Sequence, residues 1–249
     1  MKETIVIQSI SKGFKDKAKI RHILDKLSFT VLKGEVFGFI GPNGAGKSTL
    51  INLLMGFIAQ DEGTININKL ASHNVDCHRL IGYLPEDPRF YNQLNAKDHL
   101  FFAGKASGLT SREIKQKTDS LLDRLLLLHA KNQSVNTYSK GMKQRLGIAM
   151  ALIHDPQIFI LDEPMSGLDP MGRKLVADII LNLKEKEKTV FFSSHILNDI
   201  QSLCDRIAIL NKGRMLYCGE VEDFDTSNNT FEQAFIDLVR TDNQSREAA

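Results

Sequence analysis

The chain has 249 residues, room for one large domain or two small ones. Hydrophobic residues make up 42% and charged residues 25%, the balance of an ordinary globular protein rather than a disordered or fibrous one. The formal net charge of +2 argues against a dedicated nucleic-acid surface, and no apolar run approaches the roughly 18 residues of a membrane span. Met1 is followed by Lys2-Glu3-Thr4 with no apolar signal core, so the chain is expected to work in the cytosol or to reach a membrane through a partner. Cys77, Cys204 and Cys218 show neither a metal-ligand spacing nor a disulfide framework, and read as packing residues of a reducing compartment.

The opening of the chain is rich in strands. Thr4 to Ile10 alternates around Ile5 and Ile7, and a basic turn spans Lys15 to Arg21. Leu27 to Leu32 alternates again, and Lys33-Gly34 turns into the wholly apolar run Val36-Phe37-Gly38-Phe39-Ile40, which reads as a buried strand. Gly63 to Asn68 is a further alternating strand, and Ile81 to Leu84 a short one that ends at Pro85. From about Asn95 to Asn136 apolar residues fall at helical spacing, as in Leu121, Leu122, Leu125, Leu126 and Leu128, and Thr110-Ser111-Arg112-Glu113 has the form of a capped helix start. Strand and helix then alternate. Gln157–Leu161, Thr189–Ser193 and Ile207–Leu210 are predicted strands, and Arg173–Leu183 and Ile196–Cys204 predicted helices. Asn211-Lys212-Gly213 is a hairpin turn into Met215–Gly219. Such alternation predicts a mostly parallel sheet covered on both faces. A last helix is predicted over Phe231–Val239, followed by a polar, disordered tail over 241–249.

The stretch Gly41-Pro42-Asn43-Gly44-Ala45-Gly46-Lys47-Ser48-Thr49 fits the P-loop pattern, with a strand before it and the apolar helix Leu50–Met55 after it. Glycines let successive backbone N–H groups point inward at an anion, and the helix start adds its positive end. Lys47 reaches outer phosphates, and the Ser48 hydroxyl suits Mg²⁺. A second apolar run, Ile158 to Leu161, ends in Asp162-Glu163, which a buried strand would aim at the open carboxyl edge of the sheet. Asp162 suits a water-mediated Mg²⁺ contact, and Glu163 suits a general base for an attacking water.

Three more motifs stand in order around that pair: Thr137-Tyr138-Ser139-Lys140-Gly141-Met142-Lys143-Gln144-Arg145, Ser166-Gly167-Leu168-Asp169-Pro170, and Ser193-Ser194-His195. With them the chain resembles the nucleotide-binding subunit of ABC transporters over about Thr4 to Phe224, and most resembles the ABC-2 exporter branch. The resemblance implies an α/β fold: a P-loop NTPase core with a mostly parallel sheet, an N-terminal antiparallel β subdomain and an inserted α-helical subdomain. The ATPase domain would span 1–240, with the insert at about 87–155.

It also implies roles. Gly41 to Thr49 would hold the ATP phosphates, and Phe14 would stack on adenine. Ser139 and Gly141 of the signature loop would touch the γ-phosphate held by an opposite subunit, with Asp169 of the D-loop at the same interface. His195 would be the switch histidine. Glu86, in Tyr83-Leu84-Pro85-Glu86, stands where the family usually has the Q-loop glutamine, and would share in holding Mg²⁺ and the attacking water. Lys140 and Met142 stand where the family most often has glycine and glutamine, while the phosphate-facing Ser139 and Gly141 are kept. The implied protein binds ATP and Mg²⁺ and hydrolyses ATP as a head-to-tail dimer with itself or a paralogous ATPase subunit. It would power export through a separate transmembrane permease, at the cytoplasmic face of the membrane. Phe90, Tyr91 and Leu94 are the expected contacts with that permease. The competing class is a soluble ABC ATPase of repair, translation or regulation, which usually carries two ATPase units or a long coiled coil. This chain shows neither.

Overall fold

An apolar strand without a polar face has to be covered on both sides, and three such strands organise this molecule. In the computed structural model, which describes residues 2–16, 19–224 and 230–247, they are β3 (Val36–Ile40), β7 (Ile158–Asp162) and β8 (Thr189–Ser194), each buried throughout. The elements run β1 (Glu3–Asp16), β2 (Lys19–Leu32), β3, α1 (Lys47–Leu54), β4 (Glu62–Ile67), β5 (Leu70–Ala71), α2 (Val75–His78), β6 (Ile81–Leu84), α3 (Ala96–Ala106), α4 (Ser111–Arg124) and α5 (Lys140–Leu152). They continue with β7, α6 (Pro170–Glu185), β8, α7 (Leu197–Leu203), β9 (Arg206–Asn211), β10 (Arg214–Glu220) and α8 (Phe231–Glu247). Six strands form one sheet in the order β10-β9-β3-β8-β7-β6, parallel except for the antiparallel edge strand β10. Four form an antiparallel sheet in the order β2-β1-β4-β5. The expected parallel core, antiparallel N-terminal sheet and helical insert are all present.

Register decides where the parallel strands deliver their next residues. Ile40 of β3 lies opposite Ser194 of β8, and Ser193 lies opposite Asp162 of β7. The carboxyl ends of three adjacent strands therefore finish side by side.

The two faces of the parallel sheet bury separate cores. One holds Ile40, Leu161, Phe159 and Phe192 with the helical insert and α6 to α8. The other holds Phe37, Phe39, Phe191, α1 and the antiparallel sheet. The sheets are joined by stacked rings: Phe29 of β2 lies 5.4 Å from Phe37, 5.8 Å from Phe39 and 6.5 Å from Phe191 between centroids. Burial pushes the Cys77 thiol up to about 11 and Cys204 well above its usual value, so these cysteines pack and do not react.

The helix starts follow their caps. Asn95 with Asp98 and Thr110 with Glu113 form reciprocal capping boxes at α3 and α4. Two expectations fail. The leucine stripe does not stay helical: α4 stops at Arg124, and Leu126 turns the chain with φ 56. Leu125 and Leu127 are fully buried while Leu126 is 56% exposed, and Arg145 Nη1 donates to the carbonyls of Leu125 (3.1 Å) and Leu126 (3.4 Å). Nor does the last helix end at Val239, because α8 runs to Glu247. Asn211 binds its last turns, and an Arg246–Asp242 pair at 3.2 Å spans them. Residues 248 and 249 of the expected tail lie outside the described residues.

Phe191 is fully buried and touches all three other rings of the inter-sheet stack. Phe191→Ala should cost about 3–5 kcal/mol of unfolding free energy in a denaturant titration. A loss below about 1 kcal/mol would mean that the rings do not join the two sheets.

Candidate nucleotide site

The P-loop begins where β3 ends. Gly41 has no room for a side chain: a Cβ there would stand 2.2 Å from the Leu210 carbonyl oxygen of β9. Gly46 immediately precedes α1 at φ 115, a left-handed conformation that L side chains rarely adopt. α1 thus starts without a side-chain cap, leaving its first N–H groups to face the loop. The Lys47 side chain is only 8% exposed and lies over the loop, its Nζ donating to the Gly41 carbonyl at 2.7 Å. Burial lowers its pKa, and the carboxylates of Glu163, Asp162 and Glu86 push the other way.

Next to it stand the two acids. Asp162 and Glu163 are buried. Ser193 Oγ donates to Asp162 Oδ1 at 2.5 Å and accepts the Glu163 N–H at 3.0 Å, so one hydroxyl fixes both residues. Glu163 sits at φ 49, a strained backbone for a residue with a side chain. Gln144 of α5 holds that turn, its Nε2 donating to the carbonyls of Glu163 and Pro164, each at 3.2 Å. The Glu163 carboxylate meets His195 Nδ1 at 2.8 Å and lies 3.9 Å from Lys47 Nζ. Ser193 and Gln144 lie inside motifs read from the sequence, but nothing in the sequence assigned them these bonds.

A cleft of about 300 Å³ opens over these groups, lined by Arg21, Ile23, Asn43, Gly44, Gly46, Lys47, Ser48, Thr49, Glu86 and Glu163. The structure thus gathers most of the P-loop, Glu86 and Glu163 in one place, with Asp162 and His195 bonded behind and beside Glu163. Pro42 and Ala45 belong to the loop's own frame, where the Ala45 N–H binds the Pro42 carbonyl at 3.1 Å. Phe14 is not part of the lining. It lies on β1 opposite Arg21 of β2, 44% exposed, with Lys12 Nζ 5.4 Å above its ring. Arg21 and Ile23, which the sequence reading passed over, occupy that side of the cleft.

Ser139, Gly141 and Asp169 also do not line the cleft. Ser139 caps α5 through a 3.2 Å bond from the Met142 N–H, and Asp169 caps α6 through a 2.8 Å bond from the Gly172 N–H. A Cβ on Gly141 would stand 3.4 Å from Leu168, so the signature loop and the Ser166–Asp169 loop pack against each other. Glu86 lines a second cavity of about 230 Å³ with Asp87, Pro88, Lys140, Lys143 and Gln144.

The comparisons agree with this geometry. Residues 24–166 match the family model described as ABC transporter. The uncharacterized ABC transporter ATP-binding protein YxlF of Bacillus subtilis is 39% identical, covering 90% of this chain and 73% of its own length. An uncharacterized ABC transporter ATP-binding protein of Synechocystis is 43% identical over 89% of this chain, and this chain spans only 63% of that relative. A solved ATP-binding subunit of an ABC transporter superposes with a TM-score of 0.86 at 30% identity, covering 94% of this chain and 99% of that one. Family model, relatives and fold together make this chain an ATP-binding subunit of the ABC transporter family, an ATPase.

Proposed function

We propose that this ATPase powers export through a separate transmembrane permease, and that it works as a head-to-tail dimer. The observation that carries the chemistry is the convergence of Lys47, Asp162, Glu163 and His195 at the aligned ends of β3, β7 and β8, with Glu163 bonded to His195 at 2.8 Å. The P-loop N–H groups and Lys47 hold the triphosphate. Glu163 takes the proton of a water that attacks the γ-phosphorus, and ADP leaves. His195 orients Glu163 and reaches the γ-phosphate. Ser48 and Asp162 offer one hydroxyl and one buried carboxylate, hard oxygen donors that fit Mg²⁺ together with substrate phosphates. Bound there, Mg²⁺ would neutralise charge on the β- and γ-phosphates. Glu86, at the cleft wall, would share in holding Mg²⁺ and the attacking water.

The dimer reading is supported by the place of Ser139, Gly141 and Asp169. Ser139 and Asp169 cap helices and Gly141 lies in the first turn of α5, all outside their own chain's cleft, with the positive end of α5 presented by Ser139. A second copy or a paralogous subunit turned head to tail would bring that end to the γ-phosphate. Phe14, beside the Arg21–Ile23 wall, remains the stacking partner proposed for adenine.

No helix among the described residues is long and apolar enough to cross a membrane. The reading has the ATPase push on a membrane partner, with the loop after β6 as the proposed contact at the cytoplasmic face. There the three expected residues divide. Tyr91 and Leu94 are 66% and 38% exposed, and Phe101 and Phe102 of the following helix α3 are exposed as well. Phe90 instead packs under the insert, edge-on to His99 at 5.2 Å. It is withdrawn as a contact, because its ring closes the core.

Three outcomes are expected. Glu163→Gln should keep ATP binding and nearly abolish hydrolysis, measured by equilibrium binding beside steady-state phosphate release; near-normal turnover would remove Glu163 as the base. Glu86→Gln should preserve or raise turnover, since it takes a carboxylate away from the phosphates; a loss of tenfold or more would show that the charge itself is used. Tyr91→Ala should leave the ATPase activity of the isolated subunit intact and weaken co-fractionation with permease-containing membranes by about 1–2 kcal/mol. Unchanged membrane association would move the contact elsewhere.

A further inference from the structure

The end of β9 and the turn after it form the wall behind the P-loop. The Leu210 carbonyl abuts Gly41, and the Leu210 side chain lies 3.3 Å from where a Gly46 Cβ would stand. Lys212 and Gly213, at φ 44 and 81, turn the hairpin into β10. The Gly213 N–H donates to the Ala45 carbonyl at 2.9 Å, and the Gly213 carbonyl accepts from the Asp25 N–H at 2.9 Å. Ala45 sits between Gly44 and Gly46, both at positive φ, so its carbonyl is the fixed point between the loop's two most deformable residues.

Asn211 opens this turn, and its side chain is 2% exposed. Its Nδ2 donates to Asp242 Oδ2 at 2.7 Å and to Asn243 Oδ1 at 3.2 Å, both on α8. Asp242 is held in turn by Arg246 at 3.2 Å. A buried amide with two acceptors cannot leave them without exposing an unpaired donor, so the turn follows the helix.

We propose that Asn211 is a positioning residue for nucleotide binding: it fastens the turn that braces Ala45 to the C-terminal helix, and so makes the shape of the P-loop depend on α8. This rests on the cleft being the ATP site. The loop N–H groups bind phosphate only when aimed together, and the turn is what prevents the Ala45 peptide from swinging.

The test is calorimetric titration of Mg·ATP into the full chain, with melting of each nucleotide-free variant. Asn211→Ala should weaken ATP binding about fivefold, the scale of one lost hydrogen-bonded contact, and lower the melting midpoint only by the few degrees that such a loss costs a folded chain of this size. Asn211→Asp should weaken it further, because it sets a carboxylate against Asp242. Asn211→Asp combined with Asp242→Asn should recover most of the affinity, since donor and acceptor are exchanged. Gln233→Ala, elsewhere on α8, should bind as the wild type does. If Asn211→Ala does not fold, the double variant Asp242→Ala/Asn243→Ala removes the same two bonds from the helix side and should show the same weakening. Wild-type affinity in Asn211→Ala, or in the double variant where it stands in, overturns the proposal, as does failure of the exchanged pair to recover. No ATP binding by the wild-type chain would instead overturn the reading of the cleft.

Discussion

The site depends on the registered ends of three parallel strands. A parallel ladder leaves no freedom in the relative height of its members once the hydrogen bonds are made. With Ile40 level with Ser194 and Ser193 level with Asp162, the residues that follow emerge at one edge within reach of each other. The P-loop, His195 and Glu163 are then neighbours although they are far apart in sequence. Burial adds electrostatic force to this placement. Lys47, Asp162 and Glu163 are all under a tenth exposed, and charges so poorly solvated need partners. Their mutual attraction holds Lys47 across the loop, at 3.9 Å from Glu163.

The sequence made legible what chemistry demands of contiguous residues. A P-loop needs its glycines, lysine and hydroxyl within nine positions, between a strand and a helix, and that context can be read directly. Asp162-Glu163 and His195 are legible for the same reason, each at the end of an apolar run. Residues that act across the fold were not. Ser193 holds Glu163 from 30 positions away and Gln144 from 19, through contacts that only the packed strands and α5 create. Asn211 bonds α8 from 31 and 32 positions away. Polar composition alone marked that segment of α8 as disordered, because a helix held by a few buried hydrogen bonds carries little apolar signal.

The leucine stripe shows the opposite error. Five of the six leucines between 121 and 128 satisfy a helical period, yet α4 ends at Arg124. Periodicity reports burial, and a tight turn can bury alternate leucines as well as a helix can. Here Leu125 and Leu127 enter the core while Leu126 turns outward, with the freed carbonyls taken by Arg145. Arg145 belongs to the signature helix, so the turn that ended the stripe also fastens α5 to the end of α4.

α5 is therefore tied on two sides by consecutive residues. Arg145 fixes it to the end of α4, and Gln144 fixes it to the backbone of Glu163 and Pro164. Gln144 thereby braces the peptide that carries Glu163, which is strained at φ 49. Two of the departures from the family's usual motifs meet near this junction. Glu86 of the Q-loop and Lys140 of the signature loop line one cavity, with Lys143 beside them. A carboxylate at the Q-loop alone would repel the phosphates that the cleft is built to hold. With Lys140 and Lys143 lining the same cavity, two ammonium groups stand near that carboxylate to offset its charge.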